Sequence, residues 1–206
     1  MVRAMIKISL PLLLAVACWA CNGPIVVNNT SSSPPAGGMA QPSGAPQASA
    51  AAAGGGLTFK TPEGWVTETP SSGMRYAQYK LPGSGAEDAS LVVFFFGVGQ
   101  GGTIDDNFNR WAGQMRQPDG KPADKSKTEK LTVNGLNVTL LDVTGTYAGG
   151  DMMGGSNQEK PNSRMRAGVI ETPKGSYYIK LTGPEKTVTR WDDAFMAFVK
   201  SAQLKS

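Results

Sequence analysis

The residues in this chain that could do chemistry are few, and most sit on helix-like segments. Asn107, Arg110 and Gln114 are spaced by three and four residues, so one helix stripe carries all three. An arginine there can offer a bidentate fork to a carboxylate or phosphate, which makes the stripe a candidate recognition patch. The same spacing also describes a solvated helix face, or a set of ties from helix to loop. Asp105/Asp106 and Asp192/Asp193 are the candidate paired carboxylates. Adjacent residues on a helix diverge, so neither pair converges on one point, and the first pair suits the positive end of a helix dipole. Whether one aspartate from each helix meets the other is left open by the sequence. Gly97-Val-Gly-Gln-Gly-Gly102 satisfies the dinucleotide-binding pattern and lies between an expected strand and an expected helix. Asp105 and Asp106 would repel a pyrophosphate there, and no strand–helix alternation follows, so the better reading is a glycine turn.

Other chemistries are missing their parts. The chain has no histidine, which removes imidazole as base, shuttle or metal ligand. Its two cysteines, Cys18 and Cys21, both lie near the amino end, so no thiol or disulfide serves the remainder. Neither G-x-S-x-G nor S-x-x-K occurs. Met152 and Met153 are adjacent but lack the regular spacing of a copper(I) site. No catalytic residue, metal or cofactor is expected.

The amino end carries a different signal. Arg3 and Lys7 precede an apolar run from Ile8 to Ala17 that is shorter than a spanning helix, as in a secretory signal peptide, residues 1–17. Leu14-Ala-Val-Ala-Cys18 resembles the bacterial lipobox, with Ala15 where leucine is usual, which points to lipidation of Cys18. Cys21 fits less well because Trp19 stands two residues before it. No aspartate follows Cys18, and by that resemblance the outer membrane is favoured. Residues 18–56 hold the candidate lipidated cysteine and a Pro/Gly/Ser/Ala linker; about 35 such residues have a root-mean-square reach of roughly 30–35 Å. The formal charge is +4, and without Arg3 and Lys7 it is +2, too little to argue for nucleic acid.

Residues 57–206 are long enough for one core. Ser90–Gly97 is a continuous β-branched and aromatic run, expected as a strand buried on both faces. Ile104, Phe108, Trp111 and Met115 recur at helical spacing after the glycine turn, and Pro118-Asp-Gly120 is the expected stop. Leu57–Phe59 and Met74–Leu81 read as strands. Asn134-Gly135 joins Lys130–Val133 to a strand that begins at Leu136 and runs to Tyr147, which is a tight hairpin. Ala148–Ser163 reads as a long loop. A second hairpin turns at Pro173-Lys-Gly175. Val188, Trp191, Phe195, Phe198 and Ala202 mark one carboxyl-terminal helix, with Trp111 and Trp191 both in the core. The fold class is therefore α+β, a largely antiparallel sheet flanked by helices.

Three stretches together carry a resemblance: Trp65–Leu81, then Gly97–Gln114 with Asn107, Arg110, Trp111 and Gln114, then Tyr178-Ile-Lys-Leu-Thr-Gly-Pro184. They are similar to a group of uncharacterised exported bacterial lipoproteins. Their order of elements is similar to the PsbP-like α-β-α sandwich, found in the extrinsic photosystem II protein PsbP and in a yeast Ran-binding protein. The resemblance covers roughly the last three quarters of the chain. It implies a non-enzymatic binding or assembly role and brings no catalytic or metal motif with it. The function expected is that of a lipid-anchored, exported cell-envelope protein, held to the membrane and binding an envelope protein, lipid or small ligand. The alternatives are a carboxylate-based hydrolase, with or without a metal, and a purely structural envelope protein.

Overall fold

The computed structural model describes residues 56–121, 123, 127–149 and 159–205. The signal segment, Cys18, Cys21, nearly all of the linker, Met152 and Met153 lie outside the described residues. The elements run β1 (Leu57–Thr58), β2 (Val66–Glu68), β3 (Arg75–Leu81), β4 (Ala89–Phe95), α1 (Ile104–Gly113), β5 (Met115–Arg116), β6 (Thr128–Val133), β7 (Leu136–Tyr147), β8 (Lys160–Glu171), β9 (Tyr177–Pro184), α2 (Glu185–Arg190), α3 (Asp192–Lys200) and β10 (Gln203–Leu204). The main sheet has the order β2-β3-β4-β9-β8-β7-β5, with β6 also paired to β7, and every pairing is antiparallel. The short β1 pairs with β10 in a separate ribbon that joins the two ends of the domain. The fold is α+β, as expected, with helices on both faces of the sheet.

Strand alternation builds two cores, one per face. On the first face Leu91, Val93, Tyr177, Ile179 and Leu181 meet Val188, Phe195, Phe198 and Val199 from the carboxyl-terminal helices. Phe198 is fully buried there, stacked on Phe59 with centroids 4.4 Å apart. On the second face Leu141, Val143, Met165, Ala167, Val169 and Tyr178 meet Phe108 and Trp111 of α1. The hairpin at Asn134-Gly135 is present, with φ of 48° and 79° at the two turn residues, the conformation that asparagine and glycine tolerate best.

Five expectations change. The carboxyl-terminal stripe is two helices, because Trp191 (φ −96°, ψ 9°) leaves helical geometry between α2 and α3. Its indole is only partly buried; Nε1 donates to the Pro82 carbonyl at 2.9 Å, and the ring lies over Gly64. Helix α1 ends at Gly113, before the expected stop, and Met115 reaches the same core from β5. The 148–163 loop is shorter at its end, since β8 already begins at Lys160. Last, β4 is buried on both sides only at Leu91–Val93, while Phe94 and Phe95 are partly covered. At Phe94 the difference comes from where α1 lies, and it creates the site described next.

Candidate functional site

In an antiparallel sheet, residues directly opposite share a face. One row across the second face is therefore Arg75–Phe94–Tyr178–Val169, and the next is Gln78–Val92–Lys180–Ala167. Helix α1 packs on the β7, β8 and β9 part of these rows through Phe108 and Trp111. It leaves the β3 and β4 part open. The uncovered space is a groove of about 690 Å³. Its floor is Val92, Phe94 and Phe96; its walls carry Arg110, Trp111 and Gln114 on one side and Arg75 and Gln78 on the other; Lys180 rises between them.

Helix α1 is held in place by local ties. Thr103 is its N-cap: Oγ1 accepts from the Asp106 N–H at 3.1 Å and donates to the Asp106 carboxylate at 2.6 Å. Asn107 is buried, and its Nδ2 donates to the carbonyls of Gly101 (2.8 Å) and Thr103 (2.9 Å). The Tyr178 hydroxyl lies within donating distance of the Gln100 (3.2 Å) and Gly102 (3.0 Å) carbonyls. The glycine-rich turn thus offers carbonyls to the helix and sheet beneath it, and the helix N-terminus is occupied by its own cap. Gly97, Gly99, Gly101 and Gly102 all have positive φ. At Gly101 the requirement is strictest, because φ is +94° and a Cβ would stand 2.5 Å from the Tyr178 ring. Gly101→Ala should therefore cost about 2–3 kcal/mol through backbone strain and overpacking. Chemical denaturation would measure it, and a variant as stable as the parent would contradict this account of the turn.

The candidate stripe divides into two roles. Asn107 points inward and orders the turn. Its Oδ1 also accepts from Arg110 Nη2 at 2.6 Å, which places the guanidinium beside Trp111, 6.0 Å from the ring centroid. Gln114, the helix C-cap, accepts from Lys180 Nζ at 2.7 Å; the same ammonium donates to the Tyr147 hydroxyl at 3.1 Å. Arg110 and Gln114 therefore line the groove, while Asn107 positions Arg110. Three groove residues escape a sequence reading altogether: Arg75, Gln78 and Lys180. The one available signal is Lys180, a lone charge within the otherwise apolar Tyr177–Leu181.

Electrostatics in the groove are uneven. Arg75 lies 5.9 Å from the Phe94 ring centroid and donates to Gln78 Oε1 at 2.9 Å; Gln78 Nε2 in turn donates to Glu68 at 2.9 Å. Carboxylates line the groove too: Glu87, Asp88 and Glu159, which pair with Lys160 (3.4 Å), Lys80 (3.9 Å) and Arg116 (2.6 Å) respectively. Burial pushes the Tyr178 hydroxyl above its ordinary pKa, against the lowering effects of its Ser176 hydrogen bond and the Arg110 charge.

The paired carboxylates do not gather. Asp105 and Asp106 begin α1 on the second face, whereas Asp192 and Asp193 begin α3 on the first. Among the described residues no group of three Asp, Glu, Cys or His side chains is placed to hold a metal ion. A second groove of about 670 Å³ separates α1 from β6 and β7, with Ile104, Phe108 and Leu131 beside Asp105, Lys130 and Glu171.

Fold and site together describe an α+β protein with helices on both sheet faces and, beside α1, a groove with an aromatic floor and a lining of mixed charge. No protein-family model matches the chain, and no curated protein matches it. Among solved structures it is similar to PA94 of Pseudomonas aeruginosa, a protein of unknown function, at 18% identity and a TM-score of 0.43, covering 63% of this chain and 82% of that one. It is also similar to the cyanobacterial PsbP protein (CyanoP) of Synechocystis sp. PCC 6803, at 14% identity and a TM-score of 0.46, covering 78% of this chain and all of the other.

Proposed function

We propose that this chain is an exported, lipid-anchored binding module of the cell envelope, with the groove beside α1 as its binding site. The observation that carries the reading is the groove itself. Its volume lies within the range of small-ligand sites, and it combines an apolar aromatic floor with a few convergent polar groups. The amino-terminal pattern supports delivery to the envelope: a signal segment, then Cys18 in a lipobox-like setting, then a linker without charge. An acylated Cys18 and the linker would tether the domain close to a membrane, favouring the outer membrane.

Two measurements test the two halves. Mass spectrometry of the mature amino terminus should find a diacylglyceryl group on Cys18, and Cys18→Ser should move the protein from the membrane fraction to the soluble one. An unmodified, still membrane-bound Cys18→Ser protein would end the anchoring claim. For the groove, a photo-crosslinking residue at position 78, expressed in the native host, should give one reproducible adduct. A position on the opposite face, such as 197, should not. Equal labelling from both positions, or none from either, would remove the groove as the binding site.

A further inference from the structure

We infer that the end of the main sheet carrying the glycine-rich turn is a lipid-docking surface, where Val98 and Met74 seat in the bilayer that holds the chain's acyl anchor. This rests on the anchoring half of the proposed function and adds which way the domain faces. Strand register defines that end. Arg75 of β3 pairs with Phe94, Phe95 of β4 pairs with Tyr177, and Tyr177 of β9 pairs with Ile170 of β8. β3 and β9 therefore begin there, and β4 and β8 finish there. The turns at 69–74, 97–102 and 172–175 all belong to it.

The linker joins the fold at this same end. The Gly56 carbonyl accepts from the Lys205 N–H at 2.7 Å, and a Cβ on Gly56 would stand 4.0 Å from Lys174 Nζ in the 172–175 turn. That turn abuts the glycine-rich one, since a Cβ on Gly175 would stand 2.8 Å from the Gly97 carbonyl oxygen. Met74 belongs to the same corner, its carbonyl accepting from the Phe95 N–H at 3.3 Å.

Apolar exposure gathers there. Val98 is 72% exposed and Met74 43%; Val66, the other large apolar side chain exposed among the described residues, pairs with Lys80 on the edge strand β2, away from this end. Phe94, Phe95 and Phe96 are each partly buried and continue the apolar surface inward. One exposed valine is ordinary. Two apolar side chains beside the entry of a lipid tether have a bilayer within reach. The opposite end is built differently. The Glu87–Lys160, Asp88–Lys80 and Glu159–Arg116 pairs lie there, and a bilayer would strip them of water. Charges around the docking end are balanced in sign, with Lys174, Lys205 and Arg75 near Glu171, Asp105 and Asp106. Apolar contact therefore drives the docking, and salt should affect it little.

Linker length favours the same orientation. β7 and β8 have 12 residues each and run about 40 Å from this end to the other. The linker's root-mean-square reach is roughly 30–35 Å. Turning the charged end to the bilayer would stretch the linker past that reach; turning the glycine-rich end to it asks no extension. The tether also makes the contact intramolecular. An apolar surface too small to hold a free domain on a bilayer is then enough to orient an anchored one.

Depth-dependent quenching tests this on the full-length acylated protein, reconstituted in phosphatidylcholine vesicles with brominated acyl chains. A fluorescent amino acid at position 98 should sit at the headgroup–acyl boundary and be quenched at least about threefold more than one at position 87, at the charged end. Added salt should leave that ratio unchanged. Val98→Asp, read with the fluorophore at position 74, should remove most of the quenching there and leave the melting temperature unchanged, because the replaced side chain is exposed. Equal quenching at 98 and 87, or quenching at 74 unmoved by Val98→Asp, overturns the docking surface and leaves the anchor standing. A Cys18 found unmodified by mass spectrometry removes the anchor, and the docking surface falls with it.

Discussion

Trp111→Ala should lower the stability of the domain by about 3–5 kcal/mol, the range for truncating a large buried aromatic. Trp111 is 3% exposed and packs with Phe108, 5.7 Å between centroids, against side chains of β7, β8 and β9. No other described helix covers that face. The loss should appear in urea unfolding as a lower midpoint with an unchanged slope, since the surface exposed on unfolding stays nearly the same. It should also reach the groove, because Arg110 and Gln114 ride on the same helix. A variant that melts within a degree or two of the parent would show that α1 is not anchored as described.

Asp142→Asn should cost about 3 kcal/mol at neutral pH, by a different route. Asp142 lies on the first face, within a cluster with Arg164, Arg166 and Asp192. Its Oδ2 stands 2.8 Å from Arg164 Nη2 and 3.1 Å from Arg166 Nη1. The two arginine side chains are only 10–12% exposed, so removing the shared carboxylate leaves charge in a dry place. Asp192 remains 3.3 Å from Arg164 Nη2. Its other oxygen is 3.2 Å from Arg166 Nε, an ion-pair contact without hydrogen-bond alignment, so it compensates only in part. The guanidinium of Arg166 also lies 5.3 Å from the Phe195 ring centroid, which ties α3 to the sheet.

The same cluster makes the effect depend on pH. Burial alone would raise the Asp142 pKa; the Arg164 hydrogen bond and the Arg164 and Arg166 charges overcome it and hold the carboxyl below its ordinary 3.8. A pKa lowered by folding gives stability that is complete above the unfolded value and is lost as pH falls through the folded one. The gap between parent and Asp142→Asn should thus be constant above about pH 5 and shrink below pH 3.8. Parallel acid-denaturation curves, with the gap kept to low pH, would count against this carboxylate as the ionised partner.

Much of the scaffold was legible along the chain because its causes are local. Asn134-Gly135 specifies a hairpin by the positive φ its residues tolerate. The stripe Ile104, Phe108, Trp111 specifies a helix with one apolar face, and Ser90–Gly97 an inner strand. The misses have equally local appearances and distant causes. Periodicity carries Met115 and Trp191 as helical, but Met115 is drawn into pairing with Tyr147 on β7, and Trp191 turns out to reach the Pro82 carbonyl. A pattern of apolar residues records that a side chain is buried, not which element delivers it.

Asn107, Arg110 and Gln114 were visible as a stripe, yet their division into one tie and two groove residues was not. Asn107 is turned inward by the carbonyls of the glycine turn, which its own helix cap sets in place. The sequence alone determined an α+β chain without imidazole chemistry, with a helix after a glycine turn, since composition and short-range spacing suffice for each. Only the tertiary structure brought Arg75, Val92 and Lys180 into adjoining rows under Arg110. Those rows follow from strand register across β3, β4 and β9, and register is settled by the packing of the whole sheet against its helices.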